Sequence, residues 1–307
     1  MLRQRVIFMK FSIITVTYNP GEKLLPTVKS ILDQTFTNFE IVIKDGGSKD
    51  SSLDAVRALG DDRIKIFEAP DKGIYDAMNE AVKLSHGEFV LFLNAGDTFY
   101  SSDVLEKTAK VLEGSNSQGT YEETKVLGKS NSKCIDKDAK NGDLKSYALK
   151  NDRGPLHNTI AYGDTYFCLS KSLSKAPSRI TGSVCYRNIP NHQAIFYSQD
   201  TLLNRGFDTS YRIRADFEHF SYCYFKAHTS FVYLDFPINN YEGGGFSEVN
   251  EKLDKEEYKR AVRTNIPLKE RFKYRMLLIL TLHKLRGFLA RNEKTAAFYQ
   301  KVKEHFV

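Results

Sequence analysis

Residues 71–97 read DKGIYDAMNEAVKLSHGEFVLFLNAGD, and this stretch decides the fold class. Ile74, Ala77, Met78, Ala81 and Leu84 recur at spacings of three and four, which predicts a helix with one apolar face. His86-Gly87 turns the chain. Phe89-Val90-Leu91-Phe92-Leu93 follows, too short for a helix of its own and apolar on both faces, as in a central strand of a covered, largely parallel sheet. That strand ends on the polar cluster Asn94-Ala95-Gly96-Asp97. Open α/β sheets bind ligands beyond the carboxyl ends of their strands, so Asp97 is a candidate site residue.

The chain before this stretch repeats its grammar. Residues 11–17 are rich in β-branched side chains and end at Tyr18-Asn19-Pro20-Gly21, a strand and a turn. Leu24, Leu25, Val28, Ile31 and Leu32 have helical spacing. Residues 39–44 form a second strand, broken by Asp45-Gly46-Gly47-Ser48, whose glycines allow a sharp loop. Ser51 or Ser52 can cap a helix through Leu59, and residues 64–67 make a third strand. Strand and helix alternating in this way predict a mostly parallel Rossmann-like sheet with helical crossovers.

After residue 97 the order loosens. A helix is expected over 101–113, then a polar insertion over 114–158 rich in Ser, Asn, Gly, Asp and Lys. Strand-like segments return at 160–164, 194–197 and 231–236, and residues 205–225 pass from loop into an aromatic-rich helix. The loop Tyr241-Glu242-Gly243-Gly244-Gly245-Phe246-Ser247 is expected to be flexible, and from about 249 the chain reads as helices. The expected organisation is one α/β domain over 1–248, with a nucleotide-binding half (10–112), the insertion (114–158) and an acceptor half (160–248). A basic amphipathic helical extension over 249–307 completes it.

Composition narrows the function classes. The 307 residues are 41% hydrophobic and 27% charged, as in an ordinary soluble globular protein. The net charge of +7 is concentrated: from residue 267 onward there are ten Lys or Arg against three Glu, the excess of the whole chain. The remainder is neutral on balance, which argues against a body that coats nucleic acid. That basic tail has an apolar side (Phe272, Met276, Ile279, Leu280, Leu282, Leu285, Phe288, Leu289) and reads either as a peripheral contact with an anionic membrane or as a helix packed on the domain. Cys134, Cys168, Cys185 and Cys223 show no CxxC spacing and read as reduced thiols of a cytoplasmic protein. The N-terminal segment lacks a small-residue cleavage site and reads as a strand rather than a signal peptide.

Three clusters sit at predicted strand ends: Thr17-Tyr18-Asn19, Asp45-Gly46-Gly47-Ser48 and Asn94-Ala95-Gly96-Asp97. On one sheet edge they would offer an aromatic ring for stacking, a carboxylate for hydrogen bonds to base or sugar, and a second carboxylate for a divalent cation. Mg²⁺ and Mn²⁺ favour such oxygen ligands, combining one or two carboxylates with phosphate oxygens.

Several pieces in the same order resemble one known family: SIITVTYN, FEIVIKDGGSKDSS, PDKGIYDAMNEA, GEFVLFLNAGDTF, and NHQAIFYS followed by FDTSYRIRADFE. Together they resemble the inverting family 2 glycosyltransferases of the GT-A fold, especially bacterial members that build capsule, lipopolysaccharide or exopolysaccharide. They cover most of 10–112 and 160–247. The resemblance implies a nucleotide-diphosphate sugar donor, with UDP the expected nucleotide, a saccharide or lipid-linked acceptor, and Mn²⁺ or Mg²⁺. Position by position, it implies that Thr17, Tyr18 and Asn19 line the nucleobase pocket, that Asp45 and Gly46 adjoin base or ribose, and that Asp71, Lys72 and Asp76 lie near the donor. It makes Asn94, Ala95 and Gly96 part of the same pocket, Asp97 the metal ligand and Asp216 the base on the acceptor hydroxyl. His192, Gln193, Glu218 and Gly244 are further acceptor-side or lid candidates, with Glu218 the rival base. The chain departs from the family at two points: Gly46 stands where Asp-Asp-Gly-Ser has its second Asp, and Gly96 where Asp-x-Asp-Asp has a carboxylate. These losses leave a catalytically silent saccharide-binding protein as one alternative. A sugar-nucleotide nucleotidyltransferase is another, although residues 18–22 do not form its Gly-rich basic loop.

Overall fold

The computed structural model describes residues 9–117, 157–243 and 250–280. Its first part alternates strand and helix: β1 (Phe11–Thr17), α1 (Leu24–Leu32), β2 (Phe39–Asp45), α2 (Ser52–Arg57), β3 (Ile64–Glu68), α3 (Ile74–Leu84) and β4 (Phe89–Phe92). There follow β5 (Thr98–Phe99), α4 (Val104–Ser117), β6 (Thr159–Phe167), β7 (Ser172–Ser174) and α5 (Gly182–Arg187). The chain goes on through β8 (Ile195–Ser198), α6 (Gln199–Asn204), α7 (Ala215–Phe225), β9 (Ser230–Tyr241), α8 (Glu251–Asn265) and α9 (Leu268–Leu280).

All nine strands join one sheet in the order β3-β2-β1-β4-β8-β6-β9-β5, with β7 on β6. The first four are parallel, as the alternation predicts. The second half makes the sheet mixed: β8 runs antiparallel to both β4 and β6, and β5 antiparallel to β9. Both faces are covered. Ile14, Val16, Val42, Val90 and Phe92 share a core with Met78 and Ala81 of α3, while Ile13, Ile41, Ile43, Leu91 and Leu93 pack with Val28 and Ile31 of α1. Burial on alternate sides explains why these strands read as continuous apolar runs.

The helix of the opening stretch buries a slightly different face from the expected one. Ile74 is exposed, and Tyr75 is buried with Ala77, Met78, Ala81 and Val82. Tyr75 fits because its hydroxyl finds partners at the end of its ring, as a buried phenol must. The turn before β4 requires glycine for space: a Cβ at Gly87 would lie 2.6 Å from the Phe11 carbonyl carbon. There the Ser12 hydroxyl accepts from Gly87 N–H (2.8 Å) and donates to Glu40 (2.6 Å), tying β1, β2 and β4 together.

Among the described residues beyond 249, both helices reach this core. Ala261, Val262 and Ile266 join the cluster that contains α7, and Tyr274 of α9 is buried with them. The basic tail beyond 280 and most of the polar insertion lie outside the described residues. Cys168, Cys185 and Cys223 are free thiols.

Candidate active site

Strand register places the three clusters. Thr17 is opposite Asp45 on the parallel neighbours β1 and β2, and Ile14 is opposite Phe92 on β1 and β4. All three strands therefore discharge their polar ends at one edge, where the strand order reverses, with β2 and β3 to one side of β1 and β4 to the other. β8 enters antiparallel to β4, pairing Leu91 with Phe196, so the residues just before β8 come to the edge that β4 leaves. His192 accordingly stacks on Phe92, with ring centroids 5.2 Å apart.

A cleft of about 1000 Å³ opens at this edge. It is lined by Lys72, Asp76, Asn94, Ala95, Asp97, His192, Gln193 and Asp216, together with Tyr75, Arg212, Arg214 and Glu242. Thr17, Tyr18, Asn19, Asp45, Gly46 and Asp71 do not line this cleft; Thr17 and Asp45 end the neighbouring strands β1 and β2. The Asn19 amide donates to Ser48 Oγ (2.7 Å), and Asn19 Oδ1 accepts from Lys49 N–H (2.8 Å), which ties the loops after β1 and β2 together. Tyr18 is exposed and available for stacking.

Asp45 is held by its own loop. Its carboxylate is fully buried and accepts from the amides of Gly47 (2.8 Å) and Ser48 (2.6 Å) and from the Ser48 hydroxyl. It shapes its own loop, and the Asp71 carboxylate lies against that loop: a Cβ on Gly46 would stand 2.7 Å from Asp71 Oδ2. Asp71 also accepts from Gly73 N–H (3.0 Å) and lies 4.0 Å from the buried ammonium of Lys44, which bonds Ala69 O (2.6 Å) and pairs with Glu80 at 3.3 Å. Asp76, in the first turn of α3, accepts from Lys72 N–H (2.9 Å).

Asp97 is almost completely buried and accepts from Glu242 N–H at 2.9 Å. Burial pushes its carboxyl up to about 6, and the nearby Glu242 carboxylate adds to the rise. Asn94 Oδ1 is buried with no hydrogen-bond partner within the protein. A carboxylate and an orphaned carbonyl oxygen opening onto a polar cleft fit a hard divalent cation whose remaining ligands come from a phosphate-bearing substrate. Among the described residues no group of three His, Cys, Asp or Glu gathers.

Across the cleft, Asp216 stands in the first turn of α7. Tyr75 Oη reaches Asp216 Oδ1 at 3.2 Å and also bonds Ile213 O. Arg214, just ahead of α7, is held by Asp254 at 2.6 and 2.8 Å. His192 is buried, which lowers its pKa while Asp216 opposes the shift, and its Nε2 has no partner within the protein.

Glu218 is removed from the acceptor side. It is fully buried, bonded by Arg205 Nη2 at 2.8 and 2.9 Å and by Asn265 Nδ2 at 2.8 Å, because residues two apart on a helix face different ways. Gly244 lies outside the described residues.

Sequence reasoning missed the group that holds Asp216 in place. Glu257 of α8, nearly buried, accepts from the backbone amides of Arg212 (2.8 Å), Ile213 (2.9 Å) and Arg214 (3.0 Å), immediately ahead of α7. Glu257→Ala would strand three N–H groups. It is expected to cost about 3 kcal/mol by urea denaturation and to lower turnover with it, whereas an unchanged urea midpoint would show the loop to be held by other contacts.

Comparison with known proteins agrees with this architecture. The model of the family described as Glycosyl transferase family 2 matches residues 12–163. A PGL/p-HBAD biosynthesis glycosyltransferase of Mycobacterium tuberculosis is 30% identical over 275 residues, which cover 88% of this chain and 89% of the relative. Among solved structures, S. aureus TarS 1–349 in complex with UDP-GlcNAc superposes with a TM-score of 0.59 at 17% identity, over 92% of this chain and 74% of that one. The mannosyltransferase PcManGT from Pyrobaculum calidifontis, in complex with GDP-Man and Mn²⁺, gives 0.53 at 13% identity, over 94% and 82%. These two likenesses show the GT-A fold.

Proposed function

The chain belongs to glycosyl transferase family 2, and on that premise we propose that it transfers a sugar from a nucleotide-diphosphate donor, a UDP-sugar, to a saccharide or lipid-linked acceptor with inversion. The observation that carries this reading is the register of β2, β1 and β4, which brings three polar clusters to one edge of the sheet, beside a cleft lined by both Asp97 and Asp216. Thr17, Tyr18, Asn19 and Asp71 would serve a base and ribose, and Lys72, just ahead of α3, a phosphate. Asp97 and Asn94 would hold the cation. A divalent cation, when bound, would offset the negative charge that grows on the departing diphosphate. Asp216 would accept the proton of the attacking hydroxyl, on the face away from the diphosphate, as a single displacement requires. His192 and Gln193 would orient the sugar or acceptor between the two carboxylates.

The relative's name, a PGL/p-HBAD biosynthesis glycosyltransferase, and the family relationship favour a place in surface-polysaccharide biosynthesis at the cytoplasmic face of the membrane. No helix among the described residues is long and apolar enough to cross a membrane. α9 instead exposes Leu268, Phe272 and Met276 at four-residue spacing beside Lys269, Arg271, Lys273 and Arg275, a face suited to anionic headgroups. The paired change Phe272→Ser and Met276→Ser should abolish co-flotation with anionic vesicles; flotation equal to that of the unaltered protein would remove this surface from the account.

The test of the activity is UDP or GDP release from a panel of nucleotide-sugars with Mn²⁺ or with EDTA. Release from a UDP-sugar, lost in EDTA, is expected; no release from any donor with acceptor saccharides present would contradict the proposal.

A further inference from the structure

We propose that Glu242 is the second carboxylate of the cation site and fills the space that Gly96 leaves open. This rests on the function proposed above and adds to it a ligand from the far end of the sheet. β5 and β9 pair Thr98 with Asn240 and Phe99 with Asn239; the same register, carried two residues further, sets Gly96 opposite Glu242. Side-chain placement agrees. A Cβ on Gly96 would collide with Glu242 Oε2 and lie 3.2 Å from its carboxyl carbon, so the volume above the glycine is occupied by the carboxylate itself. Gly96 also has φ +102°, a conformation that disfavours any side chain there.

The backbone locks this arrangement to the first ligand, because Glu242 N–H donates to Asp97 Oδ1 at 2.9 Å. Asn94 Oδ1, buried and without a partner, adds a third oxygen donor from the same loop as Asp97. The place already attracts positive charge: the Lys23 ammonium lies 2.7 Å from Glu242 Oε2. That pair is weakly held, since both side chains are about half exposed, at 56% and 43%. A divalent ion carries twice the charge and binds two carboxylates at once, so it displaces the lysine, whose flexible stem swings into solvent. The loss of an acidic residue at position 96 is thereby offset by a carboxylate 146 positions along the chain.

The lysine makes the assignment testable by opposite signs. Mn²⁺ binding to the full chain in the presence of UDP is followed by the electron paramagnetic resonance signal of free Mn²⁺. Glu242→Gln is expected to weaken Mn²⁺ binding about ten-fold or more, and Lys23→Met to tighten it about three-fold by removing the competitor. Equal weakening by both changes would reduce the pair to a structural clasp and overturn the proposal. Unchanged Mn²⁺ affinity in Glu242→Gln, with binding lost in Asp97→Asn, would overturn it while leaving the cation at Asp97. Absence of Mn²⁺ binding by the unaltered protein with UDP would overturn it together with the metal-assisted reading.

Discussion

Asp216→Asn is expected to lower kcat about 10³-fold while UDP affinity stays within about two-fold of the unaltered protein. The asparagine keeps the shape of the side chain and can still accept the bond from Tyr75 Oη, which stands 3.2 Å from Asp216 Oδ1. What it loses is the capacity to take a proton. Tyr75, its contact from the donor half, keeps that bond to the amide oxygen, so binding of the nucleotide should not register the change. Steady-state UDP release and calorimetric titration with UDP separate the two effects. A kcat within about ten-fold of normal would transfer the role of base to another group, of which His192, with its unpartnered Nε2, is the nearest candidate in kind.

Asp97→Asn is expected to act in two opposite directions. Turnover should fall by about 10²–10³-fold, because the charge stabilisation supplied at the departing diphosphate is lost with the cation. The cation-free protein, however, should become more stable at neutral pH. Burial lifts the Asp97 carboxyl from 3.8 to about 6, so the folded chain holds this proton more tightly than the unfolded chain does. Its contribution to stability is full below about pH 4 and is lost as the pH rises through 6. At pH 7 to 8 the buried charge then costs roughly 2–3 kcal/mol, which asparagine avoids. Thermal unfolding in EDTA should show the variant melting higher at pH 7.5, with the difference vanishing near pH 4. A variant that melts lower at pH 7.5 would show that the Asp97 charge is stabilised by its surroundings.

The parts legible in the sequence are those fixed by local pattern. The alternation of residues 11–93 specified the parallel half of the sheet, because a strand buried on both faces must be apolar throughout. The three polar clusters were visible for the same reason, since each interrupts such a run. Side-chain direction was not legible. Asp45 and Glu218 look as available in sequence as Asp71 and Asp216, yet the first is captured by its own loop and the second by Arg205 and Asn265. Tyr75 was overlooked beside Ile74 because its partners, Ile213 and Asp216, are far away in the chain. Glu257 and Glu242 depend wholly on distant packing: one reaches the backbone of 212–214 from α8, and the other meets Gly96 only through the β5–β9 register. A glycine in place of an expected carboxylate was the one available hint, and it pointed to a vacancy without saying what fills it.

The central claim is that one donor molecule lies between Asp97 and Asp216 with its reacting carbon exposed to the base. A crystal of the full chain soaked with Mn²⁺ and a non-hydrolysable UDP-sugar tests it most directly. The account predicts the diphosphate and the cation at Asn94 and Asp97, and the anomeric carbon facing Asp216 from the side opposite the diphosphate. A donor bound outside this cleft, or one whose diphosphate lies on the same side of the sugar as Asp216, would contradict it.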